Sequence, residues 1–407
     1  MFFGTNRDEG VPGLTDKKRK NKDFKDAKKK DGNAPPADRI PMPPLPESVL
    51  NERRAQAKEM SKKVKIGPEN PPSVCLYTIL NAPGGVCSAA LTENCEMLSI
   101  GYGNSSIQVH SLNQKGLPLL KSSSELEQVD LEAETELTEE IFDHNSKDEV
   151  VEFTGHLGPV YSLSYSPDRR LLLSGSRDET VRLWSIEMRR NLLVYRMDAP
   201  VLRSLFCSRG FYFAVSTASK LVSLYSSEKN IPVRIFCSAQ EDVTGLDFHP
   251  NCNYVVGGSD DHDVYVWDVL NAACVRKFSG HKAPVHTVKV SPDGRYIISV
   301  STDGLMNVWD LGQQKLLCSQ EGPPIPFQVP ITFSKDGSVF VIGSPEHAVS
   351  FYNFDQVTSY GSEMMTPEQR LNPEGFNMFT YPTKRTSPLD FSFSKKNTVV
   401  GVGAFDV

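Results

Sequence analysis

At 407 residues with 39% apolar content, the chain is long enough for one large or two ordinary domains and can bury a sizeable core. It has no run of eighteen apolar residues and no apolar N-terminal stretch of signal-peptide length, so a soluble intracellular protein is expected rather than a secreted or membrane-spanning one. The net charge of -6 is unevenly spread, because residues 1–65 hold 17 Lys and Arg against 10 Asp and Glu and leave the remainder strongly acidic.

In chain order, residues 1–46 are rich in Lys, Asp, Gly and Pro and are nearly devoid of branched apolar side chains before Ile40. Such a segment cannot offset the entropy of ordering, so a disordered basic, Pro-rich tail is predicted. Two basic clusters stand in it, Lys17, Lys18, Arg19 and Lys20, then Lys28, Lys29 and Lys30. Their spacing suits a nuclear import signal read as an extended peptide. The interleaved Asp16, Asp23, Asp26 and Asp31 keep a plain solvated tail open as the other reading. No aromatic residue recurs beside the lysines for base stacking, and direct sequence-specific nucleic-acid binding is not expected.

RIPMPPLP at 39–46 reads as extended or polyproline-like, and residues 47–66 form a lead-in segment whose helix is predicted over 47–63, with Ser48 as its cap. Its apolar stripe of Val49, Leu50, Ala57 and Met60 is narrow, so the helix needs a surface to lie against. A Pro-marked turn then leads to a predicted strand at 74–80.

From there a repeat governs the chain, best preserved as GHLGPVYSLSYSPDRRLLLSGSRDETVRLWSI at 155–186. Apolar and polar residues alternate through three short runs separated by turn residues, the pattern of strands in one four-stranded propeller blade. The closing aromatic position is held by His110, Trp184, Tyr225, Trp267, Trp309 and Tyr352, at intervals of 41 to 43 after a first interval of 74. Six blades follow. Residues 387–405 would supply inner strands of a seventh, with 74–80 as its outer strand closing the ring and removing exposed edges. The predicted fold is all-β, a seven-bladed WD40 propeller over 67–407. An insertion at 121–152, with 12 acidic and 2 basic residues, and a second at 355–380, expected to link blade 6 to blade 7, are both surface excursions.

Two repeats carry the same four side chains at the same offsets, His156, Ser174, Asp178 and Trp184, and His281, Ser299, Asp303 and Trp309. These types at this spacing let hydrogen bonds tie the layers of a blade together, and a buried member left unpaired costs about 1–3 kcal/mol. A hydrolytic triad is the rival reading. Duplication at matched offsets and an indole terminus both speak against it. A third repeat keeps Asp261 and Trp267 but has Ala239 where the imidazole would stand, a partial set. No catalytic, cofactor-binding or metal residue is assigned, since His249, His262 and His286 lack ligand spacing and no helix follows the glycine-rich NAPGG or GYGN. The eight cysteines stand singly, with no CxxC pair, which fits a reducing compartment.

The less regular parts carry a resemblance. RIPMPPLP, VKIGPENPPSVCLYTILN, the acidic insertion after the first blade, FHPNCNYVVGGSDD with VYVWDVLNAACVRKFSGHKAPVH, and YPTKRTSPLDFSFSKKNTVVGVGAF together resemble the WD40 half of the subunit 5 family of TFIID, a TBP-associated factor, over about 39–405. The resemblance implies a nuclear, non-catalytic scaffold in a transcription initiation complex for RNA polymerase II. It also implies partners among the other TBP-associated factors, especially histone-fold subunits 6 and 9, and no membrane. A SAGA-type coactivator subunit is the neighbouring alternative, and a WD40 recognition module such as a substrate receptor or histone-peptide reader is the alternative of another class. Members usually place a LisH motif and a helical domain before the propeller. A charged tail stands there in this sequence, which puts self-association through that domain in doubt.

Overall fold

The structure, a computed structural model, describes residues 47–60, 66–67, 69–113, 116–121, 148–325, 328–356, 376–394 and 398–405. The tail at 1–46, with Lys17, Lys18, Arg19, Lys20, Lys28, Lys29 and Lys30, lies outside them. Seven antiparallel or mixed sheets follow one another as blades of a β-propeller, six with four strands and one with three. Each four-stranded blade takes its strands in chain order from the centre outward, blade 1 from Val86 to Phe153, blade 2 from Val160 to Arg196, blade 3 from Val201 to Phe236, blade 4 from Val243 to Ser279, blade 5 from Val285 to Glu321 and blade 6 from Ile331 to Pro382.

Local sequence explains the strands. The second strand of each blade is buried on both faces and reads as a nearly continuous small or apolar run, such as Tyr254–Ser259 and Tyr212–Thr217. The fourth strands, outermost in their sheets, are more exposed, and Arg190–Arg196 alternates because its successive side chains point to opposite faces. The repeat intervals are reproduced in the pairing register: His110, Trp184, Tyr225, Trp267, Trp309 and Tyr352 pair with Leu98, Leu172, Phe213, Val255, Ile297 and Phe340, the same step of the second strand in all six four-stranded blades.

Neighbouring blades are joined by a hydroxyl on the first strand. Ser88 donates to the Val160 carbonyl at 2.8 Å, Ser162 to Ser204 at 3.0 Å, Thr244 to Val285 at 3.1 Å and Thr287 to Val329 at 3.2 Å. Each hydroxyl sits at or beside a β-bulge near the start of the strand, where an extra residue turns the side chain toward the next blade.

The seventh blade draws on two distant parts of the chain. Thr386–Phe393 is its innermost strand, Val399–Phe405 pairs antiparallel with it, and Val74–Ile79 completes it. The lead-in strand runs parallel to Val399–Phe405, with Leu76 opposite Gly401, whereas every other pairing of neighbouring blade strands is antiparallel. Leu76 and Phe391 close over that glycine: a Cβ there would lie 2.7 Å from the Phe391 ring and 2.8 Å from Leu76.

Several sequence expectations change. The helix runs over Glu47–Met60, and Ser48 lies inside it rather than capping it, while residues 61–65 are not among those described. The acidic insertion expected over 121–152 yields its end to a strand, Val150–Phe153, because Val151 and Phe153 are buried and pair with the third strand of blade 1. The second insertion, expected over 355–380 as a link between blades 6 and 7, lies instead within blade 6, since Asn377–Pro382 is that blade's fourth strand. Residues 122–147 and 357–375 lie outside the described residues. Both insertions therefore join a third strand to a fourth, at the end of the blades where first strands also turn into second ones.

Closure makes a test available. Gly401→Val should lower unfolding free energy by about 1–3 kcal/mol through overpacking against Phe391 and Leu76. Tyr77→Ser, at a position 40% exposed on the same lead-in strand, should stay within about 0.5 kcal/mol of the parent in the same urea titrations.

Candidate functional site

The two sets of four residues singled out by spacing assemble differently. In blade 2 the second strand presents Ser174, the third presents Trp184, Asp178 stands in the turn between them, and His156 lies ahead of the first strand. Trp184 Nε1 donates to Ser174 Oγ at 2.8 Å, and Ser174 Oγ lies 2.7 Å from His156 Nε2. His156 Nδ1 is 2.9 Å from Asp178 Oδ2, which also accepts from the Leu157 amide at 2.9 Å. Burial holds the imidazole below its ordinary value despite Asp178, so the ring is neutral at pH 7. Its proton then sits on Nδ1, facing the carboxylate, and Ser174 donates to Nε2 while accepting from the indole. Burial alone would raise Asp178, but the Thr180 hydroxyl, the Leu157 amide and His156 bring its carboxyl down to about 2.

Blade 5 keeps the inner half of this arrangement and changes the outer half. Trp309 Nε1 donates to Ser299 Oγ at 2.8 Å, which lies 2.6 Å from His281 Nε2. His281 Nδ1 reaches Ser301 Oγ at 3.1 Å rather than Asp303, and Ser301 passes the bond on to Asp303. Without a carboxylate in contact, burial pushes the His281 imidazole down to about 4.

In blade 4 Asp261 accepts from the Tyr265 hydroxyl at 2.7 Å and from the Gln240 amide at 3.1 Å, so a tyrosine on the third strand occupies the carboxylate that an imidazole holds in blade 2. Tyr265 stacks on Trp267 with 5.6 Å between ring centres. The indole Nε1 of Trp267 is buried without a partner, because Gly257 stands where blade 2 has Ser174. A Cβ at Gly257 would meet the Trp267 ring at 2.5 Å, so the indole has moved into the space of the missing side chain.

These sets brace the blades, and none of their residues lines the central channel. The polar centre that the repeat spacing misses lies on the innermost strands, around a channel of about 300 Å³. Arg203 on blade 3 donates to Gln328 at 3.0 Å, and Gln328 in turn donates to the carbonyls of Thr244 and His286 at 3.0 and 3.2 Å. Lys289 of blade 5 bridges to Asp247 of blade 4 at 3.0 Å, and Asp390 of blade 7 accepts from the Leu91 amide of blade 1 at 2.7 Å. Burial pushes the Asp390 carboxyl up to about 6, against the Leu91 amide and the Arg203 charge. The signal for this cluster was present in the sequence as charges interrupting innermost strands, VLRSLF, VTGLDF, VHTVKV and SPLDFSF.

Outside the channel, the helix Glu47–Met60 lies on the ends of blades 1 to 3. Arg53 donates to the Ser208 carbonyl at 2.9 Å, Glu52 pairs with Arg169 at 3.0 Å and Val49 is buried. Among the described residues no group of three His, Cys, Asp or Glu is placed to hold a metal ion.

Ser174→Ala should destabilise the protein by about 2 kcal/mol or more, because it leaves both Trp184 Nε1 and His156 Nε2 buried without partners. Ser216→Ala is the control, since the hydroxyl at the equivalent strand region of blade 3 is buried without a partner already, and a smaller loss is expected. His281 gives a pH test. With a folded value of about 4 against 6.5, its stabilisation is complete above pH 6.5 and is lost as the pH falls toward 4, by up to about 3 kcal/mol. Asp390, raised in the fold, acts with the opposite sign over the same range, so the measurement is the difference between parent and His281→Gln. That difference should shrink by about this amount on going from pH 7 to pH 4.

The sequence family described as WD domain, G-beta repeat matches residues 147–185, 230–268 and 272–310, the three segments that carry Trp184, Trp267 and Trp309 next to their last residue. The transcription initiation factor TFIID subunit 5 of Caenorhabditis elegans is 39% identical over 411 residues, which cover 100% of this chain and 63% of the relative. The protein of that name in Drosophila melanogaster is 36% identical over 168 residues, 41% of this chain and 24% of the relative. The SAGA complex/transcription factor TFIID complex subunit Taf5 of Schizosaccharomyces pombe is 32% identical over 165 residues, 40% of this chain and 23% of its own length. One match thus spans the whole chain and the others about two fifths of it, and the chain spans less than two thirds of any of these three. The chain thus carries WD40 repeats and is similar to TFIID subunit 5 proteins.

Proposed function

We propose that the chain is a non-catalytic WD40 scaffold subunit of a nuclear transcription initiation complex of the TFIID type. The observation that carries this reading is the 39% identity to a TFIID subunit 5 along the full chain, the segments outside the repeats included. In this reading the ring is a rigid platform. Its polar side chains are spent on bracing blades, as in the His156 and His281 sets, and its chemistry is recognition of other subunits. The partners we propose are TBP-associated factors, among them the histone-fold subunits 6 and 9, and the basic clusters at 17–20 and 28–30 would direct nuclear import.

The Schizosaccharomyces pombe relative is named for both SAGA and TFIID, which favours a SAGA-type assembly as the second reading. One purification separates them. Affinity capture of the intact chain from nuclei should recover histone-fold and TBP-associated subunits. Recovery of a coactivator set without TBP would favour the second reading, and recovery of neither set would overturn both. Replacing Lys17, Lys18, Arg19, Lys20, Lys28, Lys29 and Lys30 by alanine in the full chain should shift its steady-state distribution from nucleus to cytoplasm. Unchanged nuclear signal would return those residues to the role of a solvated tail.

A further inference from the structure

The turn between first and second strands follows one pattern around the ring. Its opening position holds Ser166, Ser291 and Ser334 in blades 2, 5 and 6, each bonded within its own turn, and holds Cys207 in blade 3 and His249 in blade 4. A later position takes a left-handed backbone, and is Gly210, Gly294 and Gly337 in blades 3, 5 and 6 but Cys95, Arg169 and Cys252 in blades 1, 2 and 4, with φ of 58° at Cys252. A non-glycine residue in that conformation is uncommon and carries some backbone cost. The opening position of one blade reaches the later position of the next: His249 Nε2 lies 2.8 Å from the Gly294 carbonyl, and Cys207 Sγ lies 2.9 Å from Cys252 Sγ. Substitution at both positions has therefore put two thiols in contact across the boundary between blades 3 and 4.

We propose that Cys207 and Cys252 form a redox modification site, at which a peroxide joins the two thiols into a disulfide that staples blade 3 to blade 4. The sulfurs need approach by only about 0.9 Å to reach bonding distance. Ser208 Oγ lies 3.1 Å from Cys252 Sγ and the Arg209 amide donates to Cys207 Sγ at 3.3 Å, so polar groups surround a pair that is otherwise buried. The hydrogen bond from Cys207, followed by Ser208 and Arg209, holds the Cys252 thiol below its ordinary value, and the same bond together with burial pushes Cys207 up. Cys252 is accordingly the attacking thiolate and Cys207 the resolving thiol. Cys207 also lines the central channel, which gives a small oxidant a path to the pair.

The reaction balances with one peroxide. Cys252 thiolate attacks a peroxide oxygen, the O–O bond breaks, and the departing hydroxide takes up the proton that Cys252 released, forming water and Cys252 sulfenic acid. Cys207 sulfur then attacks the sulfenic sulfur, an S–S bond forms, the S–O bond breaks, and the leaving hydroxide takes the Cys207 proton as a second water. Two thiols are oxidised by two electrons and the peroxide is reduced. In the structure all eight cysteines are free thiols, the reduced member of the couple.

The test uses the intact chain, reduced, desalted and exposed to hydrogen peroxide, then denatured in excess N-ethylmaleimide and digested without reductant. Mass spectrometry should find the peptides of Cys207 and Cys252 joined, about 2 Da lighter than the sum of the two, and separated by dithiothreitol. The oxidised protein should melt roughly 5 °C higher, because the link closes a long loop in the unfolded chain. In Cys207→Ser the cross-link should vanish and dimedone should label Cys252. Recovery of both cysteines as maleimide adducts, or as separate sulfinic acids, would overturn the proposal, as would joining of either one to Cys75, Cys237 or Cys274 in preference to the other.

Discussion

The pairing of Val74–Ile79 with Val399–Phe405 is the contact on which the ring depends. Every boundary between blades is spanned by continuous chain, so separating two blades there still leaves them tethered, whereas this pairing lies inside blade 7 between the two ends of the ring. The seventh blade has no such tether on its outer side, and its integrity rests on a six-residue ladder and the packing of Leu76 over Gly401 and Phe391. A propeller without that ladder would present open strand edges on both Val74–Ile79 and Val399–Phe405, the condition that invites association with other chains.

Between the blades, adhesion is repetitive and local. Small second-strand residues admit the first residue of the next blade, as Gly175 admits Val201 and Gly258 admits Val285, with a hypothetical Cβ only 2.5 and 2.8 Å from the valine. The hydroxyl bond from Ser88, Ser162, Thr244 or Thr287 then fixes the height of one blade against the next. Within a blade, the His–Ser–Trp bonds of blades 2 and 5 do the corresponding work in the radial direction. Blade 4 achieves the same end with aromatic stacking of Tyr265 on Trp267, and tolerates one unpaired indole nitrogen in exchange for tight packing on Gly257. Different chemistry can thus serve the same place in the repeat because the strands themselves already specify the geometry.

A ring braced in this way is rigid, and rigidity suits a platform that presents loops and a helix to other molecules. The helix Glu47–Met60 is held by exposed or half-buried polar contacts rather than a deep apolar seam, a hydrogen bond from Arg53 to the Ser208 carbonyl and an ion pair of Glu52 with Arg169, the latter contributing at most about 1 kcal/mol. Its anchor on Ser208 is adjacent to Cys207, so the lead-in helix, the channel and the thiol pair meet at one end of blades 3 and 4.

By itself the sequence determined the repeat and the number of blades, and its offsets singled out the His–Ser–Trp residues of blades 2 and 5 but not the Ser301 that stands between His281 and Asp303. Period-2 alternation and an interval near 42 residues are properties of neighbours along the chain, and the hydrogen-bonded sets of blades 2 and 5 fall at constant offsets within one blade. Irregular segments misled where pattern was weak: Ser48 entered the helix it was expected to cap, and the insertion at 355–380 fell inside blade 6 because the buried, paired strand at its end belongs to that blade. Only the tertiary structure decided what meets across blades. The parallel direction of the closing strand, the charges gathered around the channel, the tyrosine that takes Asp261, and the contact of Cys207 with Cys252 join residues on different strands or blades, and the side chain facing across such a gap is set by the bulges and turn conformations that aim it.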